Sequence, residues 1–442
     1  MKLHLISLGC ARNLVDSEVM LGHLKKSGWA VVPEPEDADT IIINTCSFIE
    51  SAADESIDTI LEAAKLKKKG SLKRLIVAGC LPERYREEII ESLPEVDSFI
   101  GTGAFNEIEA AVKEEPTLPR CHLPDPDLQI TADGGSVRIR EIPHAAYLKV
   151  AEGCSRTCTY CIIPRLRGRQ KSRRLGDIVA EAEALISEGV RELTLVAQDT
   201  TSYGRDLSPR ESLSRLLASL SDLSDAVWFR ILYGHPESID ENVMQIVDSR
   251  SNICSYFDIP IQHASNDVLK RMGRHYTREA LFRLFDQIRT KVANAALRTT
   301  LIVGFPGETD ADFEKLLELV ETVRFDHLGV FTYSDSRDLP SHHLSGHVPA
   351  EVAQQRRDEL MTRQQAISSG INRKRMGRKF TVLLEEALEN DLFTGRAAFQ
   401  APEVDGIIYV KSGMGREVLK AGRFVKVKIT DAMEYDLMGV SV

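Results

Sequence analysis

The chain has 442 residues, 43% of them hydrophobic, which is enough for two or three domains with their own cores. Its formal net charge of −10 argues against a large nucleic acid as partner of the whole chain, and leaves open only a local basic patch. No run of about eighteen apolar residues is present to cross a bilayer, and the opening MKLHLISLGC reads as a strand rather than a signal peptide.

The first segment repeats one unit. LHLISLGC, TIIINTC and RLIVAGC are short apolar, β-branched runs, each ending in a cysteine, at Cys10, Cys46 and Cys80. Between them, DSEVMLGHLKKSG and DESIDTILEAAKLKKKG have helical periodicity and close on a glycine suited to a helix C-terminus. Strands buried on both faces and alternating with helices predict a parallel α/β sheet over residues 1–115. Ligands gather at the carboxyl ends of such strands, so the three thiols are expected to converge in space. Residues 116–142 hold Pro116, Pro119, Pro124 and Pro126, with DGGS at 133–136, and read as a linker with little packed structure of its own.

Over residues 143–372 the β/α alternation resumes in longer units. Six strand candidates, YLKVAE, ELTLVAQD, WFRILYG, YFDIPIQH, RTTLIVGF and HLGVFTYS, are separated by helical stretches. Six parallel units make an incomplete version of the eightfold barrel, whose active site lies at the strand C-termini. Residues 373–442 carry five shorter strand-like runs with turn residues between them, which predicts a small antiparallel β-barrel. The predicted fold class is therefore α/β: an N-terminal parallel α/β domain, a central partial (β/α)6 barrel and a C-terminal β-barrel.

The stretch AEGCSRTCTYCIIP, residues 151–164, follows the first of the six strands and places Cys154, Cys158 and Cys161 within eight positions. Zinc motifs match a first CxxC pair with a second downstream, and none follows here. Inert buried thiols are the other plain reading. A 4Fe–4S cluster fits the count better, because three thiolates hold three irons and the fourth iron keeps an open position for an outside ligand. Cys10, Cys46 and Cys80 repeat the arrangement and predict a second cluster with the same opening. Cys121 and Cys254 have no partners at ligand spacing and read as structural. Clustered thiols without a secretory signal point to a reducing cytoplasm.

The CxxxCxxC loop after strand one of a partial barrel resembles the radical S-adenosylmethionine superfamily. That resemblance implies that the methionine amino and carboxylate groups chelate the free iron, and that cleavage of the cofactor releases a 5′-deoxyadenosyl radical. Two sites with one open position each then suggest a division of labour: one generates the radical, and the other holds or donates an atom such as sulfur.

Further stretches make the resemblance narrower. SLGCARNLVDSE at 7–18, NTCSFI at 44–49, VAGCLPER at 77–84, CIIPRLRGRQKSR after the radical loop, and a terminal barrel similar to a TRAM domain together resemble the methylthiotransferase family almost end to end. The family joins a methylthio group to an unactivated carbon, whose non-acidic hydrogen only a cofactor radical removes. The resemblance implies that one S-adenosylmethionine supplies the radical and another the methyl. One branch modifies an adenosine of transfer RNA; the other modifies the β-carbon of an aspartate in the twelfth protein of the small ribosomal subunit. SLGCARN, YLKVAEGC, FDIPIQHAS at 257–265 and APEVDG at 401–406 resemble the second branch. Residues 379–442 carry eight Lys/Arg against ten Asp/Glu, which suits a basic ribosomal protein better than RNA.

The resemblance implies two 4Fe–4S clusters and S-adenosylmethionine as cofactors. The partners it implies are a basic small-subunit ribosomal protein, an electron donor and a sulfur donor, with no membrane and RNA binding not favoured; the chain is expected to act as a monomer. A transfer-RNA adenosine is the alternative substrate, and a non-catalytic, metal-stabilised RNA-binding module is the alternative of another class. Many radical enzymes of this superfamily carry Gly-Gly-Glu at the end of strand two. Here VAQDTT stands there, so Gln198 or Asp199 is expected to take its role at the cofactor. Gly304, in VGFPGETD, is expected to let backbone approach the cofactor. RLRGRQKSRR at 165–174 reads either as a basic patch facing cofactor or substrate or as a solvated connection. His263 and His275 read as structural.

Overall fold

The computed structural model describes residues 1–113, 117–128, 138–388, 391–413 and 419–442; Pro116 and the DGGS stretch at 133–136 lie outside the described residues. The N-terminal repeat forms a parallel sheet in the order β2-β1-β3-β4-β5-β6. Its strands are β1 (Lys2–Ser7), β2 (Ala30–Val31), β3 (Thr40–Thr45), β4 (Arg74–Gly79), β5 (Ser98–Ile100) and β6 (Cys121–His122). Helices α1 (Ala11–Lys26) and α2 (Glu50–Lys68) cover it, and α3 (Cys80–Tyr85) starts where β4 ends. The strand period of two sorts the core. Ile41 and Ile43 pack with Ile60 and Leu75 on one face, while Ile42 packs with Met20 and Leu24 on the other.

The expectation of an unpacked linker fails at both ends of residues 116–142. Cys121–His122 extend the sheet: Phe99 and Gly101 donate backbone N–H groups to the Arg120 and His122 carbonyls at 2.7 and 3.0 Å. An exposed strand edge needs backbone partners of any sequence, so the side chains gave no sign of this pairing. Arg138 is buried and donates to both Glu18 of α1 and Glu181, tying the segment to both neighbouring domains.

The central domain has the six predicted parallel strands, β7 (Ala145–Lys149), β10 (Glu192–Val196), β11 (Trp228–Ile231), β12 (Tyr256–Asp258), β13 (Ala296–Val303) and β14 (His327–Thr332). They form two three-stranded sheets, β11-β10-β7 and β12-β13-β14, joined by a parallel bridge between Phe229 and Ile253. A short antiparallel pair, β8 (Ala151–Glu152) with β9 (Lys171–Ser172), closes the base of the cysteine loop. A long helix, Ala350–Arg375, packs on β14 and leads to the closed C-terminal barrel. That barrel consists of β15 (Lys379–Ala387), β16 (Leu392–Ala397), β17 (Ile408–Lys411), β18 (Phe424–Ala432) and β19 (Leu437–Ser441), in the order β15-β16-β17-β19-β18. It departs from a purely antiparallel barrel at one seam. Because β18 pairs with both β15 and β19, closure leaves β17 and β19 side by side and parallel.

The barrel is fastened to the central sheet by buried charge. Glu192 of β10 accepts from Arg230 at 2.7 Å and from Arg396 of the barrel at 2.5 Å, and all three side chains are essentially inaccessible. Among the described residues no helix is long and apolar enough to cross a membrane.

Candidate active site between two sets of cysteines

The three N-terminal cysteines stand just past the ends of adjacent strands. Strand register sets Ser7 beside Asn44 and Thr45 beside Gly79, so the residues that follow emerge on one edge. Glycine makes two of these exits possible. Gly9 has φ +91°, and a Cβ there would lie 2.7 Å from Cys46 Cβ. Gly79 has φ +98°, and its Cβ would lie 2.7 Å from the Thr45 carbonyl. Buried Asn13 donates to the Leu8 and Thr45 carbonyls, both at 2.9 Å, and buried Asn44 donates to Asn13 O and Ser17 Oγ. These amides are the fixed frame behind the SLGCARN and NTC stretches.

The second set sits on the loop between β8 and β9. Gly153, φ +78°, packs its bare Cα against the Gly168 carbonyl, and Cys154 N–H donates to that same carbonyl at 3.0 Å. Thr159 N–H donates to Met272 O at 3.1 Å, which anchors the loop between Cys158 and Cys161 on the β12–β13 connection.

All six cysteines line one cavity of about 550 Å³ between the two domains. Among the described residues, no three Cys, His, Asp or Glu side chains converge on a position where one metal ion would be held. The cavity that the thiols line has room for groups of several atoms.

The electrostatics of the two sets differ. Burial acts to raise the Cys10 thiol, but the Arg12 and Arg167 guanidiniums outweigh it and hold it below its usual value. Burial raises Cys46 and Cys154, and pushes Cys80 and Cys161 up to about 12. Arg12 reaches across the domain seam, donating to Ala197 O at 2.9 Å and stacking 4.5 Å over the Tyr233 ring.

The predicted cofactor residues separate. Gln198 and Asp199 both line the cavity. Asp199 is committed, accepting from Arg156 at 2.7 Å and from Ser202 and Thr201. Gln198 donates to Glu152 at 2.6 Å, and its buried Oε1 has no hydrogen-bond partner among the described residues. Gly304 is not among the cavity-lining residues, and a Cβ there would lie 2.4 Å from that of Ala353 in the long helix, so its bare Cα allows that helix to pack close.

RLRGRQKSRR is neither a simple surface connection nor mainly a ligand-facing patch. Arg167 is buried, 2.7 Å from Asp16 and 3.3 Å from Glu152, while Arg173 pairs with Glu181. His263 is fully buried, 3.5 Å from Glu308, as the structural reading expected.

Sequence reasoning missed Arg12, Tyr233, Gln262 and Arg274, all of which line the cavity. Tyr233 and Gln262 hold positive φ, +61° and +67°, a conformation that side-chain-bearing residues adopt mainly where surroundings enforce it. Arg274 gives two of its nitrogens to Tyr160 Oη, while buried Nη1 has no hydrogen-bond partner among the described residues. Arg12 and Gln262 lie in the SLGCARN and FDIPIQHAS stretches, but a lone arginine carries no spacing signal, and nothing local marked Tyr233 or Arg274.

Three family models match the chain. Residues 2–101 match the Uncharacterized protein family UPF0004, residues 148–320 the Radical SAM superfamily, and residues 376–442 the TRAM domain. Among solved structures, the radical S-adenosylmethionine methyltransferase TsrM from Kitasatospora setae shares the fold, with TM-score 0.58 at 12% identity over 83% of this chain and 89% of that one. Ribosomal protein uS12 methylthiotransferase RimO of Desulfosudis oleivorans is 54% identical over 99% of both chains. The same-named protein of Clostridioides difficile is 49% identical over 99% of this chain and 98% of its own. The chain belongs to the family of ribosomal protein uS12 methylthiotransferases, RimO.

Proposed function

We propose that the chain is a radical S-adenosylmethionine enzyme that adds a methylthio group to the β-carbon of an aspartate in ribosomal protein uS12. The observation that carries this reading is the convergence of six thiols, three from each of two domains, on one cavity. Cys154, Cys158 and Cys161 would hold the radical-generating 4Fe–4S cluster, and Cys10, Cys46 and Cys80 an auxiliary one. When bound, the first cluster with S-adenosylmethionine supplies the radical chemistry that removes hydrogen from an unactivated carbon.

The chain's own residues account for the rest. Cofactor binding is supported by complementary orphans: among the described residues, Gln198 Oε1 is an acceptor without a donor, and Arg274 Nη1 a donor without an acceptor. An α-ammonium and an α-carboxylate answer both. Arg12, beside Cys10, offsets thiolate charge on the auxiliary side and fixes Tyr233 in the wall facing it. Phe48, Ile49, Ile163 and Leu166 supply an apolar part of the wall around the reacting centre. An electron donor and a sulfur donor act in a reducing cytoplasm on a chain that works as a monomer.

A competition assay tests the reading. Anaerobically reconstituted enzyme, with reductant, sulfide and S-adenosylmethionine, is given a uS12 peptide and unmodified transfer RNA together. The expected result by mass spectrometry is a methylthio group on the peptide aspartate and none on adenosine. Addition to adenosine alone overturns the substrate, and absence of 5′-deoxyadenosine overturns the radical chemistry.

A further inference from the structure

One carboxylate touches the helices that follow both sets of cysteines. Arg84 lies four residues past Cys80, in α3, and Arg165 lies four past Cys161, in the helix Ile163–Arg167. Asp338, on the loop after β14, accepts from Arg84 in two places, at 2.8 and 3.1 Å, and lies 3.6 Å from Arg165. Arg165 also donates to the Arg84 carbonyl at 3.3 Å.

The same loop reaches further on both sides. Arg84, 4% exposed, donates to the carbonyl of Ser47, the residue after Cys46, and to Ser336 Oγ. Leu339 packs in one apolar cluster with Cys80, Ile162 and Leu166. Ser341 N–H donates to the carbonyl of Thr159, between Cys158 and Cys161. Ser341 Oγ is in turn held by Tyr333 Oη at 2.8 Å. Residues 336–341 thus hold Arg84, whose guanidinium reaches the backbone beside Cys46, bond the backbone beside Cys158 directly, and pack on Cys80 itself. None of these residues lines the cavity. Their bonds run between its walls.

We propose that Asp338 is a positioning residue, and that the loop carrying it sets the distance between the two thiol sets and so between the groups they hold. This rests on the two-cluster reading above. Group transfer between two centres depends steeply on their separation, because a misplacement of about 1 Å costs about a hundredfold in a positioned reaction. Radical formation needs only one set. A loosened loop therefore separates the two events: the cofactor is still cleaved while the product fails to form.

Two measurements on Asp338→Asn test this. The first is hydrogen exchange on the full chain without clusters. The variant is expected to exchange faster than wild type in both 44–49 and 156–163, as well as in the loop itself. Acceleration confined to 334–347 would overturn the proposal. The second uses reconstituted enzyme. Iron content is expected to be unchanged, while the ratio of 5′-deoxyadenosine to methylthiolated peptide rises about tenfold. An unchanged ratio would also overturn it. Ser336→Ala, which removes one bond to Arg84 and leaves the carboxylate, is expected to move both readouts in the same direction by less. If wild-type enzyme makes no methylthiolated peptide, the functional reading fails by itself, and the exchange measurement still decides the role of Asp338.

Discussion

Arg167 Nη1 lies 2.7 Å from Asp16 Oδ2 across the seam between the two cysteine-bearing domains, with both side chains buried. Around them, Lys149 bonds Asp16 and Glu152, and Arg167 comes within 3.7 Å of Cys80 Sγ. Burial acts to raise Glu152, but Lys149 and Arg167 outweigh it and hold its carboxyl well below the usual range. The seam therefore carries an ionised network beside its apolar contacts, in which Ala11, Val15 and Val19 pack with Tyr147, Val196 and Leu232.

Removing one member of such a network strands the others without water. Arg167→Met is expected to destabilise the chain by about 3–5 kcal/mol. Denaturant unfolding followed by circular dichroism measures this, and a loss below about 1 kcal/mol, the range of an exposed pair, would contradict a buried network.

Iron content separates the thiol sets. Wild-type protein reconstituted under argon is expected to bind about eight irons, and the triple alanine variants of either set about four. Each variant is expected to keep the broad visible absorbance of the remaining cluster. If alanine at Cys10, Cys46 and Cys80 leaves the iron content unchanged, that set does not hold a cluster.

Cofactor binding tests the two orphans. Gln198→Leu and Arg274→Met are each expected to weaken S-adenosylmethionine binding about tenfold, the worth of a hydrogen bond to a charged group. Equilibrium dialysis with labelled cofactor reads this directly. Asp199 is saturated by Arg156 and Ser202, so a variant there is expected to act through loop structure, seen as lowered stability with the same loss of binding.

Acid should release the C-terminal barrel in a defined window. Burial acts to raise Glu192, but Arg396 and Arg230 outweigh it and bring it down to about 2, from 4.5. A carboxyl depressed by folding contributes stability above its unfolded value and loses it as pH falls toward the folded one. Barrel docking is thus expected to hold above about pH 4.5 and to weaken between 4.5 and 2, visible as a fluorescence change of Trp228, whose ring centroid lies 4.5 Å from that of Phe424 in the barrel. Glu192→Gln should remove that step and destabilise docking at neutral pH.

The sequence by itself determined the elements and the thiols. Three apolar runs ending in cysteine and six longer β/α units are local patterns of period and spacing, and the backbone obeys them almost everywhere. Even the convergence of Cys10, Cys46 and Cys80 was legible, because parallel strands in register carry their next residues to one edge. Tertiary structure alone decided what surrounds those thiols. Arg12, Arg274 and Tyr233 enter the cavity from separate elements, and an arginine's place depends on which buried carboxylates its neighbours supply. The same reason turned Arg167 from a basic patch into a domain seam and joined Arg84 to Asp338 across 254 residues. Backbone periodicity is written along the chain, whereas the pairing of long charged side chains is settled only when the domains close on one another.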